Sequence, residues 1–279
     1  MSLAFDRAGS GPALVLLHGL GHRRQGWTAV LDLLTPHREV IAVDLPGHGE
    51  SPPLRLAGRS PARALADDVL AFLGEQGLGR PHLAGNSLGG MLALALAARG
   101  HAASVTALSP AGFAAHPYQV SYARAVFTGA RLAGRGIAPL VPRLSRSATG
   151  RALLYGLMVT RPAQVSPGQA RGDVAGFVAA GDAMRTVFGA PEPFTAAIGA
   201  GVPVTIAWGT RDRILPRSSA RLARRRLPGA RFVPLPGCGH VPMTDDPALV
   251  AKVLLEGSGE RDPSPADSGE RHPHPRPQR

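Results

Sequence analysis

Short apolar runs recur along this chain, and a stretch of helical spacing follows most of them. ALVLLH at 13–18 ends in Gly19, VIAVDL at 40–45 ends in PGHG, and PHLAGN at 81–86 and SVTALSP at 104–110 repeat the theme. PVTIAWG at 203–209 and ARFVPL at 230–235 resume it later. Continuous apolar runs of this length fit parallel strands buried on both faces. Between them WTAVLDLL at 27–34, LGGMLALALAARG at 88–100, a segment near 217–227 and DDPALVAKVLLEG at 245–257 have helical spacing. So has SPARALADDVLAFLGEQG at 60–77, with Ser60 as N-cap, Pro61 at the first helical position and Gly77 as a stop. This alternation predicts an α/β fold: a mostly parallel central sheet with helices on both faces.

The alternation breaks between 111 and 202, far more than one crossover helix needs. YARAVFTGARLAGRG, SATGRALLYGLM and DVAGFVAAGDAMRTVF within it are helical in spacing and interrupted by Pro and Gly. The expected organisation is therefore a core from 1–110 and 203–256, a helical cap inserted at 111–202, and a disordered tail at 257–279, where hydrophobic residues nearly vanish.

Gly85-Asn86-Ser87-Leu88-Gly89-Gly90 stands where the strand at 81–86 must turn sharply into the helix from 88. A serine at such an elbow is exposed above the sheet edge, at the positive end of the helix dipole. Serine attacks a carbonyl only when a base removes its proton. His240, in the loop PGCGHVP after the last strand, suits that task, and Asp212, directly after the strand at 203–209, suits the orienting carboxylate. SPAG follows the strand at 104–110, so no acid is available there.

With HGLG at 18–21, DLPGHGES at 44–51, GNSLGG at 85–90, WGTRDRILP at 208–216 and GCGHVPMTDDP at 237–247, the chain resembles the α/β-hydrolase superfamily over about residues 5–256. The resemblance implies Ser87, Asp212 and His240 as the catalytic set and the backbone N–H groups of Leu20 and Leu88 as the oxyanion hole. His18, Asp44 and His48 would hold loops around the site, and Cys238 would be a packed thiol. Only residues 1–12 precede the run at 13, which leaves the family's usual first strand in doubt. A serine nucleophile excludes the relatives that use a carboxylate at the elbow. The expected activity is hydrolysis of a carboxylic ester of a small or medium, largely apolar substrate, without cofactor or metal. The rivals are a carbon–carbon hydrolase of ring-fission products, suggested by Asn86 but disfavoured by Val241 where those enzymes carry an aromatic residue, and a catalytically silent binding protein on the same fold. Cofactor-free perhydrolysis and acyl transfer use the same machinery.

The net charge of +12 raises nucleic acid or an anionic membrane surface as a partner. Its distribution argues otherwise: nine arginines face three acids over 115–200 and nine basic residues face four acids over 201–256, while the ends of the chain are nearly balanced. No basic helix, aromatic stacking platform or nucleic-acid motif accompanies the excess, which reads as a solvated surface of compositional origin, so a small-molecule substrate is expected, with no nucleic acid and no membrane partner. No apolar run approaches the roughly 20 residues of a membrane span, and MSLAFDRAGS lacks the order of a signal peptide. Cys238 is the single cysteine, which fits a reducing cytoplasm. Arg124, Arg131 and Arg151 of the cap are weighed as selectors of a substrate carboxylate, with solvent as their expected surroundings.

Overall fold

The computed structural model describes residues 2–259. In chain order its core begins β1 (Phe5–Ala8), β2 (Ala13–Leu17), α1 (Thr28–Leu34), β3 (Glu39–Val43), α2 (Pro61–Glu75), β4 (His82–Asn86), α3 (Leu88–Ala98) and β5 (Ser104–Leu108). Five helices follow without a strand: α4 (Pro117–Gly136), α5 (Val141–Leu144), α6 (Ala148–Tyr155), α7 (Pro167–Ala179) and α8 (Gly181–Gly189). The core then resumes with β6 (Val204–Gly209), α9 (Arg217–Arg226), β7 (Arg231–Leu235), α10 (Pro242–Asp245) and α11 (Pro247–Gly257). Among the described residues no helix is long and apolar enough to cross a membrane.

The seven strands form one sheet in the order β1-β3-β2-β4-β5-β6-β7. All neighbours are parallel except β1, which runs antiparallel to β3 with Phe5 opposite Val43. The period of two divides each strand between two layers. Val15 and Leu17 of β2 join Leu65, Val69 and Phe72 of α2 and Leu92 and Leu96 of α3 on one face. Leu14 and Leu16 join Trp27, Val30 and Leu34 and, from α11, Val250 and Leu254 on the other. α3 is apolar all round because it is buried all round: Leu92, Leu94 and Leu96 have no exposed surface. Each buried leucine of this kind contributes about 1.5–3 kcal/mol relative to an exposed one.

β1 carries no apolar run: FDRA has three exposed residues of four and owes its strand geometry to pairing at the edge. The helix expected over 245–257 is interrupted. Asp246 has an extended backbone (φ −147°, ψ 81°) and its side chain accepts the Leu249 N–H at 3.0 Å, capping α11 and separating it from α10. The apolar spacing of 173–188 likewise spans two helices, parted at Ala180 (φ −70°, ψ 14°). Of the tail expected from 257, Gly257 closes α11, and residues 260–279 lie outside the described residues.

Candidate active site

In a parallel sheet, loops that follow strands share one edge, and side chains far apart in sequence meet there. Ser87 follows β4, Asp212 follows β6 and His240 follows β7. Ser87 has φ 54° and ψ −115°, a left-handed conformation that a non-glycine residue keeps only when its surroundings impose it. Those surroundings are hydrogen bonds from Ser87 N–H to Leu108 O (3.0 Å) and from the N–H groups of Met91 and Ala111 to Ser87 O (both 3.0 Å). Side chains on either side are excluded. A Cβ at Gly85 would strike the Gly89 backbone, and one at Gly89 would strike the Leu17 carbonyl.

His240 is buried, and its Nδ1–H donates to Asp212 Oδ2 at 2.9 Å. The second oxygen of Asp212 accepts the N–H groups of Ile214 and Leu215, both at 2.8 Å. The carboxylate is thereby fixed, and with it the imidazole tautomer that leaves Nε2 free to accept a proton. Ser87 and His240 line one cavity and are not hydrogen-bonded to each other. The turn at 18–21 packs on the serine: a Cβ at Gly19 would lie 3.3 Å from Ser87 Cβ. Leu20 beside it and Leu88 at the first position of α3 carry backbone N–H groups with no backbone acceptor among the described residues. Such an arrangement can attack a carbonyl and hold the resulting oxyanion.

A family model described as an alpha/beta hydrolase family matches residues 14–253. The chain belongs to the alpha/beta hydrolase family. It is 30% identical to a pimeloyl-acyl-carrier-protein methyl ester esterase of Aeromonas hydrophila, a match covering 91% of this chain and 98% of that protein. Among solved structures, a membrane phospholipase A superposes with a TM-score of 0.70 at 28% identity, over 92% of this chain and 83% of that one. The enol-lactonase of Burkholderia xenovorans LB400 superposes with the same score at 23% identity, over 92% and 96%, and shows the fold alone.

Two side chains of this alpha/beta hydrolase carry structure that its motifs do not announce. Asn86 donates from Nδ2 to Leu108 O (3.1 Å) and to His240 O (2.9 Å), so the residue before the serine holds the histidine loop. Asp245 is buried; its Oδ1 accepts the N–H groups of Thr160 (2.7 Å) and Arg161 (2.8 Å), and its Oδ2 accepts that of Gly239 (2.7 Å). It joins the inserted helices to the residue before His240. The only sequence signal was its place in MTDDP, which the final helix absorbed. Cys238 is buried and burial pushes its thiol up to about 11, so it stays protonated.

Two cavities meet at the serine. The larger, about 270 Å³, is lined by His240, Tyr155, Phe177 and Leu153 among others; the smaller, about 210 Å³, by Leu88, Met91, Val187 and Ile214 among others. Leu20, Ser87 and Phe127 line both. No arginine or lysine among the described residues lines either one. Arg131 donates instead to Val178 O and Arg151 to Ser145 O and Ala163 O, while Arg124 is exposed. The larger cavity holds Asp173, bound by Tyr155 Oη–H (2.9 Å) and Arg23 Nε–H (3.1 Å), and the smaller holds Glu192, which accepts the Ala62 N–H. Among the described residues no group of three or more metal-ligating side chains is assembled.

His18, Asp44 and His48 brace the turn at 18–21 from behind. His18 Nδ1–H donates to Gly19 O and its Nε2 accepts the Leu45 N–H; His48 Nδ1–H donates to Pro46 O and its Nε2 accepts the Gly21 N–H. Asp44 accepts the N–H groups of Arg24 and Glu50 and pairs with the Arg24 guanidinium. Burial pushes His48 down to about 4 and His18 well below its ordinary value, so both rings are neutral in the folded protein. An unfolded chain takes up these protons near pH 6.5. Stability is therefore complete above that value and is lost as pH falls from it toward 4, by about 3 kcal/mol for His48 alone. Urea unfolding midpoints at pH 7 and near pH 4.5 should show this fall, and His48→Gln, which keeps an acceptor for Gly21 but cannot be protonated there, should flatten it. An equal slope in the variant would remove His48 from the account.

Proposed function

We propose that this protein is a serine hydrolase that cleaves a neutral, largely apolar carboxylic ester through an acyl-enzyme on Ser87. The observation that carries the reading is the strained Ser87 between two apolar cavities, facing a histidine whose tautomer is fixed by Asp212. Ser87 Oγ attacks the ester carbonyl while His240 Nε2 takes its proton. The N–H groups of Leu20 and Leu88 receive the oxyanion, two preorganised donors being worth several kcal/mol in the transition state. His240 then protonates the departing alkoxide and afterwards activates the water that releases the acid. Since His240 lines only the larger cavity, the alcohol portion belongs there and the acyl chain in the smaller one.

Charge separates this reading from cleavage of ring-fission products. Those substrates are carboxylates, whereas the carboxylates Asp173 and Glu192 line these cavities and no arginine or lysine among the described residues does. The Aeromonas protein, a methyl ester esterase by name, supports the same class. A fluorophosphonate should label the wild type and leave Ser87→Ala unlabelled. A panel of p-nitrophenyl esters of graded acyl length should be turned over with a preference for medium chains, and a dienoic ring-fission product should not. Turnover of the dienoic compound alone would overturn the ester reading.

A further inference from the structure

The inserted helices expose what a protein surface ordinarily hides. Six of the seven large hydrophobic side chains exposed among the described residues are theirs: Tyr118, Tyr122, Leu132, Leu140, Leu153 and Leu157. Leu153 is 72% exposed, and yet it lines the larger cavity, as does Leu157; they form its rim. Leu132 lies on α4, whose Ala130 and Ala133 line the same cavity together with Ile137 just past its end, and Leu140 follows that helix. Between residues 128 and 157 only Gly134, Val141, Ser145 and Gly150 are buried.

Charge along this segment is of one sign. Residues 111–172 contain eight arginines and no acidic residue, and no Asp or Glu occurs anywhere from 76 to 172. A general enrichment in arginine would not by itself empty a segment of acids, which the rest of the core retains. Arg124, Arg135, Arg143, Arg146 and Arg171 are exposed and form no ion pair among the described residues. Leucines scattered over α4, α6 and the residues that follow each, with unpaired guanidinium groups in the same segment, suit a surface that demands no matching shape. A fluid anionic lipid layer is such a surface; a folded acidic protein would require a continuous, complementary patch.

We infer that the α4–α6 face docks on an anionic lipid bilayer, with leucines entering the headgroup region and arginines at the phosphates, so that the mouth of the larger cavity opens at the membrane. The expectation of no membrane partner rests on the lack of a spanning run and on reading the arginine excess as a solvated surface of compositional origin; a peripheral contact needs no span, and the acid-free segment with its exposed leucines argues against the second ground. Docking is independent of hydrolysis, so its failure and that of the ester reading are distinguishable. The full chain bearing Ser87→Ala, which leaves the vesicles intact, should co-sediment with phosphatidylcholine vesicles containing phosphatidylglycerol and not with phosphatidylcholine alone. Arg135→Ser/Arg143→Ser/Arg146→Ser should weaken partitioning about a hundred-fold, at roughly five-fold per arginine, and raised salt should do the same. Leu132→Ser/Leu140→Ser should weaken it at all salt concentrations. In the Ser87 background both sets should turn over a soluble short-chain ester and unfold at the unchanged urea midpoint. Equal partitioning of wild type and arginine variant, indifference to lipid charge, or saturable binding to an acidic carrier protein without vesicle binding would overturn the inference.

Discussion

Asp212→Asn is expected to lower kcat about 10⁴-fold while leaving the fold intact. The two backbone donors that hold the side chain determine why. Ile214 and Leu215 both present N–H groups to Oδ1 at 2.8 Å, so the asparagine oxygen must stay with them. Its NH₂ group then faces His240 Nδ1, where a carboxylate oxygen had accepted a proton at 2.9 Å. Two donors cannot meet there, so Nδ1 becomes the acceptor and the ring proton moves to Nε2. That nitrogen can no longer take the proton of Ser87. Since the three groups act as one unit, Ser87→Ala should fall further, by about 10⁶-fold, and the double variant should fall no lower than Ser87→Ala. Steady-state rates on the best p-nitrophenyl ester, beside urea unfolding of each variant, provide the measurement. A loss below about ten-fold for Asp212→Asn would place the orienting acid elsewhere.

The elbow was legible because its constraints are local. Gly85, Ser87 and Gly89 are spaced by the turn itself, and the apolar runs on either side name the strand and the helix. The histidine and the acid could be assigned because each directly follows a strand, which in a parallel sheet is a statement about position in space. β1 was not legible, since FDRA pairs by virtue of an edge that other residues create. Nor were the helix breaks at Ala180 and Asp246, because apolar spacing continues across both and the backbone geometry that parts them leaves no trace in it. The cavities depend on which helices of the insertion meet, so the exclusion of arginine from them could be learned only from the fold. Asn86 and Asp245 were invisible as bridges for a similar reason: their partners are backbone groups, which every sequence supplies.

Asp245 supports the second large expectation, a loss of stability in the same loop that carries His240. Its carboxylate accepts three backbone N–H groups in a buried setting, and Arg161 adds a guanidinium contact to its backbone carbonyl at 2.9 Å. Hydrogen bonds to a charged acceptor are worth about 1.5–3 kcal/mol each, and a buried donor left without an acceptor costs about 1–3 kcal/mol. Asp245→Ala strands all three donors, so a loss of about 4 kcal/mol is expected, which for a chain of this size lowers Tm by roughly 10 °C. Asp245→Asn is the more discriminating change. Its single oxygen will stay with Thr160 and Arg161, and its NH₂ will then oppose the Gly239 N–H. About half the stability loss is expected, concentrated one residue from His240. The asparagine variant should therefore lose kcat by more than its small loss of folded fraction at 25 °C accounts for, whereas a purely structural contact would leave kcat per folded molecule unchanged. Thermal unfolding followed by active-site titration with a fluorophosphonate separates the two, since the titration counts competent sites and the rate is divided by that count. Unchanged Tm in both variants would mean that water replaces the carboxylate without cost, and Asp245 would then have no part in holding the insertion to the histidine loop.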